Sequence, residues 1–286
     1  MCGERGENWL DALSFVLADV EFQWSIEVDH PFPAGEFSYV APATDSAGNQ
    51  LVLKIAPPFE TNEIVGEALY LRTRNGVGAV RLIRKWPGDD IILIERAIPG
   101  KNLVEEFAGR ESEAIEPAID ILRTILGPPP GDRTGIKTVG DWFEGMRRAA
   151  DTEFPADYVS KAFDIYHRLS RQPDRTFYLH GDFHPANIVS AARSPYLVID
   201  PKGVIGHIGY DIAVFLNNFH WWQETRPDLQ TRLDHAVRQF SEAFDIDPRE
   251  LREWAFAQMV LGAWWTFDDM PQFYNNEVAK ADIWNV

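Results

Sequence analysis

The stretch YLHGDFHPANIVSAARSPYLVIDPKG, residues 178–203, sets His180, Asp182 and His184 at alternate positions, with Asn187 and Asp200 beyond them. Residues i, i+2 and i+4 of an extended strand share a face. One reading is therefore a metal-hydrolase cluster of His180, Asp182 and His184. Gly181 weakens a regular strand there and Pro185 ends it. The other histidines, His30, His167, His207, His220 and His235, form no second motif to complete such a cluster. A second reading is phosphoryl transfer, in which an Asp accepts the proton of the attacking hydroxyl and a nearby Asn holds Mg²⁺. A second Asp, at the end of the next hairpin, holds the metals bridging the phosphates. Four residues separate Asp182 from Asn187, and the run through the turn at 193–195 delivers Asp200. Mg²⁺ prefers oxygen ligands, so these two donors plus nucleotide phosphates suffice. The third reading is a hairpin whose Asp and Asn residues cap turns, which leaves the pairing of the two spacings unexplained.

The remainder of the 286-residue chain narrows the choice. Hydrophobic residues make up 45% and aromatics 13%, which is a folded composition, not a disordered one. Cys2 is the one cysteine, so an intrachain disulfide and a Cys₂His₂ zinc site are both excluded. The formal net charge of −17 disfavours nucleic acid and anionic lipid and draws cations. Asp11, Asp19 and Glu21 interrupt the first apolar stretch, and the apolar run 259–267 is too short to span a bilayer. A soluble cytoplasmic protein is expected.

Strand-like runs dominate the first third. They fall at 22–28, 36–41, 50–55, 79–86 and 91–95, with a turn at 87–90. An amphipathic helix is expected at 7–20, and another from a Thr61 N-cap to the Asn75–Gly76 stop. Past Pro99 and Gly100 helical patterns take over, at 102–109, 111–126, 138–150, 155–171, 209–222, 228–244 and 248–268. The exception is a β island near 177–180, 187–190 and 196–200. This predicts an α+β chain with the two-lobed, protein-kinase-like layout. A β-rich nucleotide-binding lobe would span 1–96, and a helical catalytic and acceptor-binding lobe 97–286.

The residues His180 to Asn187, the Asp200-Pro-Lys-Gly turn and the element at 209–213 resemble the aminoglycoside phosphotransferase family of kinase-like enzymes. The turn and the 209–213 element resemble most its streptomycin 6-kinase and hydroxyurea phosphotransferase branch. The likeness runs from about residue 36 to 265 and is tight over 178–213. It implies ATP and Mg²⁺ as cofactors, Asp182 as catalytic base, Asn187 and Asp200 as magnesium ligands, and Asp211 as a buried brace for the catalytic loop. It also makes Lys202 expected without giving its role.

A kinase site needs a cation on the nucleotide phosphates. Lys54 lies inside the apolar run 51–55, where an unpaired ammonium is costly. Glu63 and Glu67, four apart on the next helix, share a face and either could pair with it. The family pattern favours Glu67. In kinase-like folds hinge backbone reads adenine, which places the base near Glu95 and Ala97. The phosphate-covering loop reduces to 33–38, with contacts at Gly35 and Ser38. The acceptor is a small hydroxylated molecule, aminoglycoside-like and cationic or else neutral. Carboxylates and aromatics at 217–224 and 254–269 are candidates to line its pocket. A metal-dependent hydrolase and a catalytically silent nucleotide-binding protein are the alternatives.

Overall fold

The computed structural model describes residues 3–33, 38–57, 63–88 and 90–286. In chain order come helix α1 (Gly3–Trp24), strands β1 (Ile26–Val28), β2 (Tyr39–Asp45) and β3 (Gln50–Ile55), helix α2 (Glu63–Arg74), and strands β4 (Leu82–Lys85), β5 (Ile91–Glu95) and β6 (Pro99–Asn102). Helices α3 (Leu103–Glu106), α4 (Ile115–Ile125), α5 (Val139–Gly145) and α6 (Ala156–Leu169) follow. Strands β7 (Thr176–Leu179), β8 (Ile188–Ala191), β9 (Ser194–Val198) and β10 (Val204–His207) lead into helices α7 (Gly209–Gln223), α8 (Leu229–Phe244) and α9 (Pro248–Asp269). The α+β organisation, a sheet first and helices after, is the one the sequence predicts. Two compact units form, residues 1–100 with 190–202, and residues 101–189 with 203–286. The segment 190–202 thus groups with the first unit, a placement that a single cut along the chain cannot express.

In the first unit a five-stranded antiparallel sheet has the order β1-β2-β3-β5-β4. β3 is central, with Lys54 opposite Val40 on one side and Ile92 on the other. Its odd positions, Leu51, Leu53 and Ile55, are buried in a cluster with Val20, Trp24, Ala43 and Leu93, against which Leu13 and Leu17 of α1 also pack. Successive strand residues point to opposite faces, so Lys54 belongs to the face that α1 does not cover. On α2, Ile64, Glu67, Ala68 and Leu71 are buried at the i, i+3, i+4, i+7 spacing of a helix lying on a core.

The second unit centres on α9. Helices α6 and α7 and the C-terminal turn of 3₁₀ helix at Glu277–Trp284 pack around it. Trp254, Trp264, Trp284, Tyr210, Phe215, Phe219 and Phe256 fill this core. Helix α7 is buried on nearly all sides, which explains its weakly amphipathic sequence. Strands β7 and β10 pair antiparallel, Leu179 opposite Val204.

Several local expectations differ. The run 22–28 is not one strand: α1 continues to Trp24 because Val20 and Trp24, four apart, extend its buried face, and Ser25 at φ 53° ends it. β2 starts at Tyr39 and runs on to Asp45, and the expected N-cap Thr61 lies outside the described residues. Strand 79–86 shrinks to β4, with Ala79 making an isolated parallel bridge to Val198. The helix expected at 102–109 stops at Glu106, 111–126 opens as 3₁₀ helix to Ala114, and 138–150 turns to 3₁₀ helix at Met146. Strand β10 was not expected at all, since Gly206 breaks its short apolar alternation.

Candidate active site

The candidate residues fall into two groups, one in each unit. In the first, Lys54 Nζ donates to Glu67 Oε2 at 2.6 Å and to Asp200 Oδ1 at 2.6 Å. The side chains of Lys54 and Glu67 are only 9% and 5% exposed, whereas that of Asp200 is 47% exposed. Burial alone works against the ammonium, yet the charges of Glu67 and Asp200 overcome it and hold Lys54 above its ordinary range. Burial pushes Glu67 the other way, up to about 6, although Lys54 pulls it down. Of the two glutamates on the shared face, Glu67 takes Lys54. Glu63 instead pairs with Lys202, at 2.5 Å.

Asp200 has φ 57°, a left-handed conformation that Asp tolerates better than most residues. Glu95, at the end of β5, is a structural tie: its carboxylate accepts from Arg193 Nε at 2.7 Å and from the backbone N–H of Arg81 at 3.0 Å. Arg193 also donates to the carbonyls of Gly76 and Ala79. Only backbone around Glu95 and Ala97 is therefore left to read a base edge. Ser38 is half-buried just before β2, and Gly35 lies outside the described residues.

In the second unit the loop after β7 is fixed from below. Asp211, in the first turn of α7, is 1% exposed and accepts from the backbone N–H groups of His180 at 2.9 Å and Gly181 at 2.8 Å. Burial pushes its carboxyl up to about 7, despite those two bonds. Phe183 is fully buried and packs on Phe215, anchoring the loop between two partly exposed residues, Asp182 and His184. Asn187 Nδ2 donates to the Asp182 carbonyl at 3.0 Å and toward its carboxylate at 3.4 Å. With its amide hydrogens so used, Asn187 Oδ1 is the atom left to serve a cation.

The histidines do not form the alternative metal cluster. His180 is fully buried and its Nδ1 accepts the N–H of Asp182, while His184 Nδ1 accepts that of Ala186. Among the described residues no three His, Cys, Asp or Glu side chains are grouped to hold an ion. Helices α7 and α9 and Glu277 line a cleft of about 140 Å³, formed by Asn217, Asn218, Trp221, Gln258 and Thr266 among others. Residues from both candidate acceptor segments thus meet. Tyr210, next to Asp211 at the start of α7, is fully buried; burial first and then the charge of Asp182 raise its pKa.

Sequence reasoning missed the Lys202–Glu63 pair, the Arg193–Glu95 tie and Glu277. The first two join residues 139 and 98 apart, for which no spacing signal exists.

A strand lysine bonded to a helical glutamate and a braced Asp-to-Asn loop are the features of a protein-kinase-like phosphotransferase. Residues 23–270 match the model of the aminoglycoside/hydroxyurea antibiotic resistance kinases, and the chain belongs to that family. It is 27% identical to a streptomycin 6-kinase of Streptomyces glaucescens, over 93% of this chain and 87% of the relative. It is also 27% identical to a hydroxyurea phosphotransferase of Kitasatospora aureofaciens, over 98% of this chain and 81% of that one. Among solved structures it superposes on an amicoumacin kinase in complex with AMP-PNP, Ca²⁺ and Ami, with a TM-score of 0.64 at 16% identity, covering 95% and 93% of the two chains. The protein is an ATP-dependent kinase of small hydroxylated molecules.

Proposed function

We propose that the protein transfers the γ-phosphoryl group of Mg²⁺-ATP to a hydroxyl of a compact, ring-sized acceptor, with Asp182 as the base. The observation that carries this reading is the buried Lys54, held by Glu67 and reaching Asp200. An ammonium in an apolar strand is stable only if paired. Here one partner is buried and the other is half open, which leaves a cation and a carboxylate presented together.

The residues suit the metal. Mg²⁺ takes hard oxygen donors and keeps several waters. The half-exposed Asp200 carboxylate and Asn187 Oδ1 are such donors, and these two would hold it. When bound, Mg²⁺-ATP supplies the electrophilic phosphorus and neutralises phosphate charge. Lys54 would bind the α- and β-phosphates, and the backbone at 95–97 the adenine edge. Asp182 takes the proton of the acceptor hydroxyl as that oxygen bonds to phosphorus and ADP leaves. Asp211 keeps the loop backbone fixed, so Asp182 does not have to be ordered during the reaction. The lobe of residues 1–96 is assigned to the nucleotide and that of 97–286 to the acceptor, in a cytoplasmic enzyme; among the described residues no helix is long and apolar enough to cross a membrane.

The cleft on α7 and α9 is the proposed acceptor pocket. Its volume of about 140 Å³ is near the roughly 150 Å³ that holds one benzene ring. Amides and a hydroxyl dominate the polar lining, and Glu277 is its one carboxylate among the lining residues. One face of the Trp221 ring already carries Lys280, whose Nζ lies 3.7 Å from the ring centroid. This suits a hydroxylated ring, alone or at the end of a larger molecule, carrying at most one cation at that point. The test is ADP release from Mg²⁺-ATP with streptomycin, hydroxyurea and a panel of amino sugars and cyclic polyols, with the phosphorylated product identified by mass. ADP release without phosphorylated product from any of them would refute acceptor phosphorylation within these classes.

A further inference from the structure

Phosphoryl transfer as derived above gives Lys202 no task, although it lies two residues from Asp200. Its surroundings supply one. Lys202 Nζ meets Glu63 Oε2 at 2.5 Å, in the first turn of α2. Its backbone carbonyl lies so close to Gly66 of the same helix that a Cβ there would fall well inside contact distance. One residue on, Glu67 reaches Asp200 through Lys54. Glu63, Gly66 and Glu67 sit at i, i+3 and i+4, hence on one face of α2. Three ties therefore join that face to the turn 200–202: an ion pair, a backbone contact and the lysine bridge. The turn itself is bent at Asp200, φ 57°, and at Gly203, φ 63°. A non-glycine residue keeps such a conformation when its surroundings over-determine it.

We propose that Lys202, Glu63 and Gly66 are positioning residues that fasten the Asp200 turn to α2, so that the Asp200 carboxylate is aimed before any ligand binds. Lys202 then acts on the helix, not on the nucleotide. The proposal rests on the reading of Asp200 as a metal ligand, but its first test uses ligand-free protein, so the two can fail separately.

Gly66 gives a discriminating sign. Gly to Ala inside a helix ordinarily stabilises it. Here Gly66→Ala should destabilise, because the new Cβ meets a backbone carbonyl that cannot swing aside. The charged pair gives a reversible test that does not threaten folding, as Glu63 is 63% exposed at its side chain and Lys202 31%. Hydrogen–deuterium exchange of the ligand-free protein should show 63–67 and 199–203 exchanging faster in both Glu63→Gln and Lys202→Met. An exposed pair of this kind supports a change of about two- to five-fold. Titration calorimetry should show Mg²⁺-ADP affinity falling by a similar factor in both. The charge-reversed double variant Glu63→Lys/Lys202→Glu should restore exchange and affinity together, as should Lys202→Arg alone. Unchanged exchange in the single variants would overturn the proposal. So would a loss of Mg²⁺-ADP affinity in Lys202→Met that Glu63→Gln does not share and charge reversal does not repair, since that assigns the lysine to the nucleotide. If Gly66→Ala does not fold, the charge variants decide alone; if it is as stable as wild type and binds as well, the backbone contact has no positioning role.

Discussion

Lys54 Nζ stands 2.6 Å from Glu67 Oε2, inside a core strand, and the same nitrogen is 2.6 Å from Asp200. A buried ammonium with two carboxylates is stable only while both remain charged partners, which couples the first unit's stability to proton binding at Glu67. Burial holds Glu67 up at about 6 even against the pull of Lys54, and removing Lys54 takes that downward pull away.

In Lys54→Met, Glu67 should therefore hold its proton to a higher pH than in wild type. A carboxyl whose folded pKa lies above its unfolded one gives up stability as pH rises through that window. The deficit of Lys54→Met relative to wild type should be smaller at pH 5 and reach about 3 kcal/mol at pH 8. Urea unfolding at the two pH values checks this, and an equal deficit at both would show that Glu67 is not the coupled group.

Asp211 carries the same logic into the second unit. Its carboxyl is raised to about 7, while in the unfolded chain it titrates near 3.9. Its contribution to stability is full below about pH 4 and is lost as pH rises to about 7. Asp211→Asn does not titrate, and it turns an amide donor toward one of two backbone N–H groups, which costs about 1–3 kcal/mol. The advantage of wild type over this variant should be largest near pH 4 and shrink toward pH 8 in urea unfolding. An advantage that grew with pH would mean that Asp211 is ionised in the fold throughout.

Asn187→Ala and Asp200→Ala should both weaken Mg²⁺-dependent nucleotide binding, with Asp200→Ala the more damaging because it removes a formal charge and a Lys54 partner. Calorimetry with Mg²⁺-ADP against ADP in EDTA separates the metal effect from nucleotide affinity. Equal Mg²⁺ dependence in Asp200→Ala and wild type would remove Asp200 from the metal site.

Which of these features could be read in advance follows from the range of the interactions. The spacing of Asp182 and Asn187 and the burial of Lys54 are local, and so they stand in the sequence. Helices α6 and α8 are long with a clear apolar period, α7 and α9 are long and apolar nearly all round, and the positions of all four agree with expectation to within two residues. Glu63 and Glu67 share a helical face, so periodicity could not choose between them; depth of burial does. The fastening of Lys202 to Glu63, and of Arg193 to Glu95, depends on partners brought together only by the fold. Strand β10 hides for a similar reason, since a four-residue strand with a glycine carries too little pattern and is defined by its partner β7.

The net charge of −17 has a kinetic consequence. The Debye length falls from about 30 Å at 0.01 M to about 8 Å at 0.15 M ionic strength, which removes most long-range steering. For a polycationic acceptor such as streptomycin, kcat/KM at saturating Mg²⁺-ATP should fall several-fold across that range, while that for a neutral acceptor should not. Equal salt response would show that the acidic surface plays no part in acceptor capture.

The most direct measurement is single-turnover phosphoryl transfer by Asp182→Asn beside its affinity for Mg²⁺-ATP. Loss of a general base slows the chemical step by roughly 10²–10⁴-fold, and Asp182 has no assigned contact with the nucleotide, so affinity should stay within about two-fold of wild type. Transfer at more than about a third of the wild-type rate, with chemistry limiting, would contradict the assignment of Asp182 as the base.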